Sequence, residues 1–205
     1  MNTPKITTKT NYDEVYRRIP TLDRIQDNEI ASEVRRLTAA APDYFWTRPG
    51  SYSGHHNPNT RGLWKHTLKM STVVDNLALS LLNQNEITER DVDRAHAAVI
   101  LHDQWKNGMN DEPETFGGHD LLMAEIVREE SELDEIIARA CAAHMGPWGT
   151  GPEPNSVLTE LVHHADMMAS DDAIDIPVYE PLPTELEEIV CGTTEPREYR
   201  GDDDE

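Results

Sequence analysis

From Gly62 onward apolar side chains recur at intervals of three and four residues. Leu63, His66, Met70, Val73, Val74, Leu77 and Leu81 fall on one stripe of a helix, which places the His66 imidazole among aliphatic neighbours. A second helix is predicted from Thr88, a cap with Asp91 three residues on, through Val92, Ala95 and Val99 to His102 and Asp103 at its end. A third opens near His119 with Leu121, Leu122, Ile126 and Val127. A fourth runs through Leu133, Ile136, Ile137, Ala140 and Cys141 to His144, where Gly146 and Pro147 stop it. The last starts near Asn155 or Ser156 and carries Leu158, Leu161 and Val162 to Asp166.

Upstream, residues Thr21 to Ala40 read as one polar helix with a thin stripe of Ile25, Ile30, Val34 and Leu37. A long loop follows from Pro42 to Arg61, and its Tyr, His55 and His56 give it a functional cast. Beyond Ser170 the composition turns to Asp, Glu and Pro, so 171–205 reads as an acidic, partly disordered tail with a short helix at 184–190. Alternating β-branched runs are almost absent. The prediction is an all-α core over residues 12–170.

Charge changes the picture next. Asp and Glu number 39 against 18 Lys and Arg, for a formal net charge of −21. Only Lys5, Lys9, Lys65, Lys69 and Lys106 are lysines. Lysine-poor acidity predicts a surface adapted to high salt, where self-repulsion is screened, and points to a halophilic archaeon, a salt-loving bacterium or one of their viruses. It also argues against tight duplex binding through a basic face. There is neither a secretory leader nor an apolar run that would span a bilayer, which predicts a cytoplasmic protein without membrane contact. Cys141 and Cys191 lack metal or redox spacing and read as free thiols.

The chemistry lies in four short segments: Gly62-Leu-Trp-Lys-His66-Thr, Leu101-His102-Asp103-Gln-Trp-Lys106, Ala143-His144-Met-Gly-Pro-Trp and His163-His164-Ala-Asp166. Each sets a histidine or an aspartate inside, or at the end of, a helix with an apolar face. Such groups are costly to bury alone, and a divalent metal is a usual partner. Imidazoles and carboxylates without thiolates suit Mn, Fe, Co, Ni or Mg better than structural zinc. The sequence holds no P-loop, dinucleotide glycine motif or Ser-His-Asp set that would offer a different mechanism.

These segments resemble the HD-domain metal-dependent phosphohydrolase superfamily. Gly62-Leu-x-x-His66-Thr is similar to its first histidine motif, Leu101-His102-Asp103-x-x-Lys106 to its core signature, and His163-His164-Ala-Asp166 to the motif of its final aspartate. Thr115-Phe-Gly-Gly-His119 and Ala143-His144-Met-Gly-x-Trp148 resemble the extra histidines of the branch containing YhaM-like exoribonucleases and related archaeal and phage proteins. Trp105 departs from the small or branched residue common at that place.

The resemblance implies a helical bundle over residues 51–170, between an N-terminal extension at 1–50 and the tail. It implies a metal on His66, His102, Asp103 and Asp166. His119 and His144 have two roles open to them: holding a second metal that Asp103 bridges, or contacting substrate phosphate around a single metal. The implied count is therefore one or two divalent ions per chain. Asp103, Lys106, His119 and His144 are the implied catalytic residues, with Lys106 meeting phosphate as a point charge. His163 is placed to support the ligands by a hydrogen bond, His164 to face outward, and His96 to be structural.

The implied activity is hydrolysis of a phosphomonoester or phosphodiester, with a small nucleotide or a short single-stranded nucleic-acid 3′ end as substrate. Two other classes stand beside it. One is a non-catalytic nucleotide-binding module, which loss of a ligand position would mark. The other is a di-iron oxygenase on the same scaffold, which oxygen consumption would mark.

Overall fold

The computed structural model describes residues 5–51, 60–171, 173–178, 183 and 186. Among the described residues the chain forms eight α-helices and two 3-10 turns, with no strand. The helices are α1 (Tyr12–Arg18), α2 (Asn28–Ala39), α3 (Asp43–Thr47), α4 (Gly62–Asn83), α5 (Glu89–Leu101), α6 (His119–Glu130), α7 (Glu135–Ala143) and α8 (Val157–Ser170). None of them is long and apolar enough to cross a membrane.

Local chemistry starts several of these helices. Thr88 and Asp91 exchange hydrogen bonds in a capping box at α5, and Ser156 does the same with Thr159 at α8. Asn11 and Asp27 accept from first-turn amides of α1 and α2. The apolar stripes then meet. α4 packs on both α5 and α8, and α7 packs on α5, α6 and α8. Leu63, Leu68, Met70, Val99, Leu101, Ile126, Ile137 and Val162 are buried in one continuous core.

The N-terminal region differs from the single helix expected over Thr21–Ala40. A 3-10 turn occupies Pro20–Arg24, and α2 begins only at Asn28. The break has a distant cause. Asp93, buried on α5, accepts from the amides of Gln26 and Asp27 at 2.9 Å each, so it takes donors that a continuous helix would have used internally. The expected Pro42–Arg61 loop likewise contains α3. Tyr44, Phe45 and Trp46 are all buried there, and Trp46 packs edge-on against Phe45 and Trp64. His55 and His56 lie outside the described residues.

After α8 the chain keeps contact with the core. Ile176 and Val178 pack against it, and Leu186 is fully buried. Apart from Leu186, the 184–190 segment in which a short helix was expected lies outside the described residues.

Candidate metal centre

The buried ends of α4, α5, α6, α7 and α8 converge on one point. His66 comes from the second turn of α4, while His102 and Asp103 follow the last turn of α5. His119 opens α6, and His144 follows α7. Asp166 lies on the inner face of α8. All six side chains are buried. The periodicity places each of them here for one reason: each occupies a position on, or just past, an apolar stripe.

Two groups of donor atoms form. His66, His102 and Asp103 each offer one atom, and these lie within 4.8 Å of one another; Asp103, His119 and His144 do the same. Asp103 belongs to both. Its Oδ2 lies 3.4 Å from His102 Nε2, while its Oδ1 lies 3.3 Å from His119 Nε2 and 3.5 Å from His144 Nε2. Asp166 belongs to neither group. Its Oδ1 lies 2.9 Å from His66 Nε2, a hydrogen bond between residues a hundred positions apart.

Three of the histidines share one backing. The Nδ1 of His102 meets the carbonyl of Val99 at 2.7 Å, that of His119 the carbonyl of Phe116 at 2.9 Å, and that of His144 the carbonyl of Cys141 at 2.7 Å. A carbonyl only accepts, so each Nδ1 carries the proton and donates. Each Nε2 lone pair then points inward. These three Nε2 atoms, together with Asp103 Oδ1, are buried with no hydrogen-bond partner. Buried polar atoms without partners are costly. Divalent cations at the two donor groups would satisfy them, and imidazole and carboxylate donors backed by hydrogen bonds are the donor set such ions require. The residues fit the metal.

Electrostatics point the same way. Burial opposes charge on Asp103, yet Lys106 and His102 beside it hold its carboxyl well below the usual carboxylate range. Lys106 Nζ lies 2.6 Å from Asp103 Oδ2. Burial alone would lower His102, but the neighbouring Asp103 charge outweighs it and raises the imidazole. Burial lowers His66 despite Asp166, and Asp166 itself stays well below the ordinary range because His66 bonds to it against the cost of its burial. The centre is thus built around two anions that call for positive charge.

The other histidines divide by surroundings. His163 donates from Nδ1 to the carbonyl of His144 at 2.7 Å, so it braces the chain that carries His144. His164 is largely exposed beside Glu160. His96 is fully buried, 3.2 Å from Asp75 on α4, and belongs to neither donor group.

One residue here carries no metal motif. Asp120, buried next to His119, accepts from the amides of Thr150 and Gly151 at 2.8 Å each and from the Thr150 hydroxyl at 2.7 Å. It thereby ties the start of α6 to the loop after His144. The available signal was glycine: a Cβ on Gly149 would stand 2.6 Å from Asp120 Oδ2, and one on Gly151 would stand 1.9 Å from the carbonyl oxygen of Ala142.

A surface cleft of about 420 Å³ lies elsewhere, lined by residues including Asn28, Glu33, Arg90, Glu132 and Asp134. It contains none of the converging histidines, and its acidic lining disfavours phosphate.

The family model of the HD domain matches residues 63–171, which span all six converging side chains. The chain belongs to the HD-domain family. Members are mostly metal-dependent phosphohydrolases and bind divalent metals, so metal-dependent hydrolysis is the general activity this membership indicates. No curated protein and no solved structure matched the chain.

Proposed function

We propose that this protein hydrolyses a phosphate ester of a nucleotide or of a nucleic-acid 3′ end, using two divalent ions that share Asp103. The observation that carries this reading is the split of the Asp103 carboxylate, with Oδ2 toward His102 and Oδ1 toward His119 and His144. A carboxylate so divided suits a bridge between two cations. His66, His102 and Asp166 would hold the first ion. His119 and His144 would hold the second.

A divalent pair held there would supply Lewis acidity and an activated water at neutral pH. The protein's own residues do the rest. Val99, Phe116 and Cys141 carbonyls lock three imidazoles in the tautomer that leaves Nε2 free to coordinate. Burial strengthens every charge interaction at the centre by excluding water. Lys106, held on Asp103 Oδ2, brings a fixed positive charge to the side where phosphate oxygens gain negative charge during attack. A small substrate accords better than a long strand with a chain of net charge −21.

The test couples metal analysis of the purified protein to Mn-dependent hydrolysis of bis-p-nitrophenyl phosphate, p-nitrophenyl phosphate and a nucleotide panel. Two ions per chain with Mn-dependent cleavage supports the reading. Asp103→Ala should lose both ions and all cleavage while circular dichroism stays helical; retained activity in that variant refutes the assignment. Bound iron with oxygen consumption and no ester cleavage would replace it with the oxygenase.

A further inference from the structure

Of the four tryptophans, Trp46, Trp64 and Trp105 are buried, whereas Trp148 is 69% exposed. Placing an indole in water forgoes the gain of burying it, and Trp148 is nevertheless held in a defined pose. Its ring lies on the ring of His163, with centroids 6.2 Å apart and planes 24° from parallel. With one face on His163 and most of its area exposed, the indole turns its other face to solvent.

The support under that ring is rigid. His163 donates to the carbonyl of His144, whose own Nε2 faces Asp103 Oδ1 at 3.5 Å. Gly146, at φ +53°, passes so close that a Cβ there would stand 2.6 Å from His163 Cε1. The loop continues into Thr150 and Gly151, which Asp120 clasps to α6 beside His119. Phe116, 43% exposed, sits on the segment before α6, where its backbone carbonyl accepts a hydrogen bond from His119 Nδ1. Its ring lies 3.4 Å from the Cβ position of Gly118, and Thr150 Oγ1 lies 3.8 Å from the same point. Both loops that carry the second group of metal donors therefore carry an exposed aromatic ring as well.

We infer that Trp148 is a stacking platform for the planar base of a nucleotide whose phosphate sits at the Asp103 centre; this rests on the phosphohydrolase reading. The charge balance explains the need. Lys106, the cation at the centre, is already paired with Asp103, and the chain as a whole repels phosphate. Beyond what metal at the centre would contribute at the phosphate, affinity for the nucleoside is best supplied by a contact that neither net charge nor salt weakens. Base stacking on an indole is such a contact, and it is tolerant of base identity because every base has a π-face.

Trp148 also supplies the readout, since collisional quenchers reach exposed indoles first. Acrylamide quenching of the full-length protein would be measured with Mg²⁺ and either uridine monophosphate or ribose 5-phosphate, in wild type, Trp148→Ala and Trp148→Phe. Wild type should lose most of its quenchable emission component on adding the nucleotide and keep it with the sugar phosphate; Trp148→Ala should lack that component throughout. In hydrolysis, Trp148→Ala should lower kcat/KM for the nucleotide relative to ribose 5-phosphate by roughly 5- to 150-fold, mainly through KM, and Trp148→Phe should restore most of it.

Equal protection by both ligands, or none by either, overturns the platform, as does an unchanged ratio in Trp148→Ala. Ester cleavage with an unchanged ratio removes the platform and leaves the hydrolase. Base-dependent protection without cleavage of any ester keeps the platform and removes the hydrolase.

Discussion

Lys106 and Asp103 form the closest cation–anion pair at the centre, with Nζ 2.6 Å from Oδ2, and that oxygen also faces His102 Nε2 at 3.4 Å. One carboxylate oxygen thus faces a lysine and an imidazole together. Removing one partner of a buried pair leaves an uncompensated charge. Lys106→Ala should lower the stability of metal-free protein by about 3 kcal/mol. Added Mn²⁺, which supplies the missing positive charge, should raise the melting temperature of the variant by more than it raises wild type. Thermal denaturation with and without metal checks both parts.

The backing of His144 separates its two nitrogens experimentally. An asparagine at that position reproduces the Nδ1 donor to the Cys141 carbonyl but offers nothing at the Nε2 position. His144→Asn should keep the fold and lose the second ion, so elemental analysis should fall from two metals per chain to one. Loss of both ions, or of neither, would contradict a bridging Asp103 with separable sites.

Asp120 makes stability depend on pH. Its carboxyl is held below the ordinary value: burial opposes the charge, but the Thr150 hydroxyl and the amides of Gly151, Leu121 and Thr150 outweigh it. A depressed carboxyl stabilises the fold fully above its unfolded value and loses that contribution as pH falls through the folded one. Asp120→Asn should therefore cost about 2 kcal/mol near neutrality, with the gap to wild type closing below about pH 4. Urea denaturation across pH measures this directly.

Cys141 should be chemically silent. It is fully buried on α7, and burial pushes its thiol up to about 12. Native protein treated with iodoacetamide near pH 8 should show no label on Cys141 by peptide mass mapping, whereas denatured protein should be labelled there.

Much of this protein is written locally. The stripe from Leu63 through His66 to Leu77 follows helical spacing, and the Thr88–Asp91 cap needs only residues three apart. Burial of His66, His102, His119 and His144 followed from their places on or just past apolar faces, because side-chain direction in a helix repeats with the turn. The core signature at His102-Asp103 also made the HD-domain membership readable before any geometry.

Other features needed distant parts of the chain. The helix expected over Thr21–Ala40 breaks because the Asp93 carboxylate, 67 positions from Gln26, captures two of its amides. Aromatic burial made a helix of Asp43–Thr47 inside an expected loop; Tyr44 reaches Gly108 through its hydroxyl. Asp120 carried no recognisable motif, since its partners Thr150 and Gly151 lie thirty positions on. From Gly62 onward the sequence by itself determined which helices form and which of their residues would be polar yet buried, since both depend on spacing along one element. The tertiary structure decided which of those polar groups face one another: which oxygen of Asp103 meets which imidazole, that Asp166 bonds to His66, and that Trp148 rests on His163. Those relations depend on the relative positions of helix ends, which long-range packing sets and no local pattern encodes.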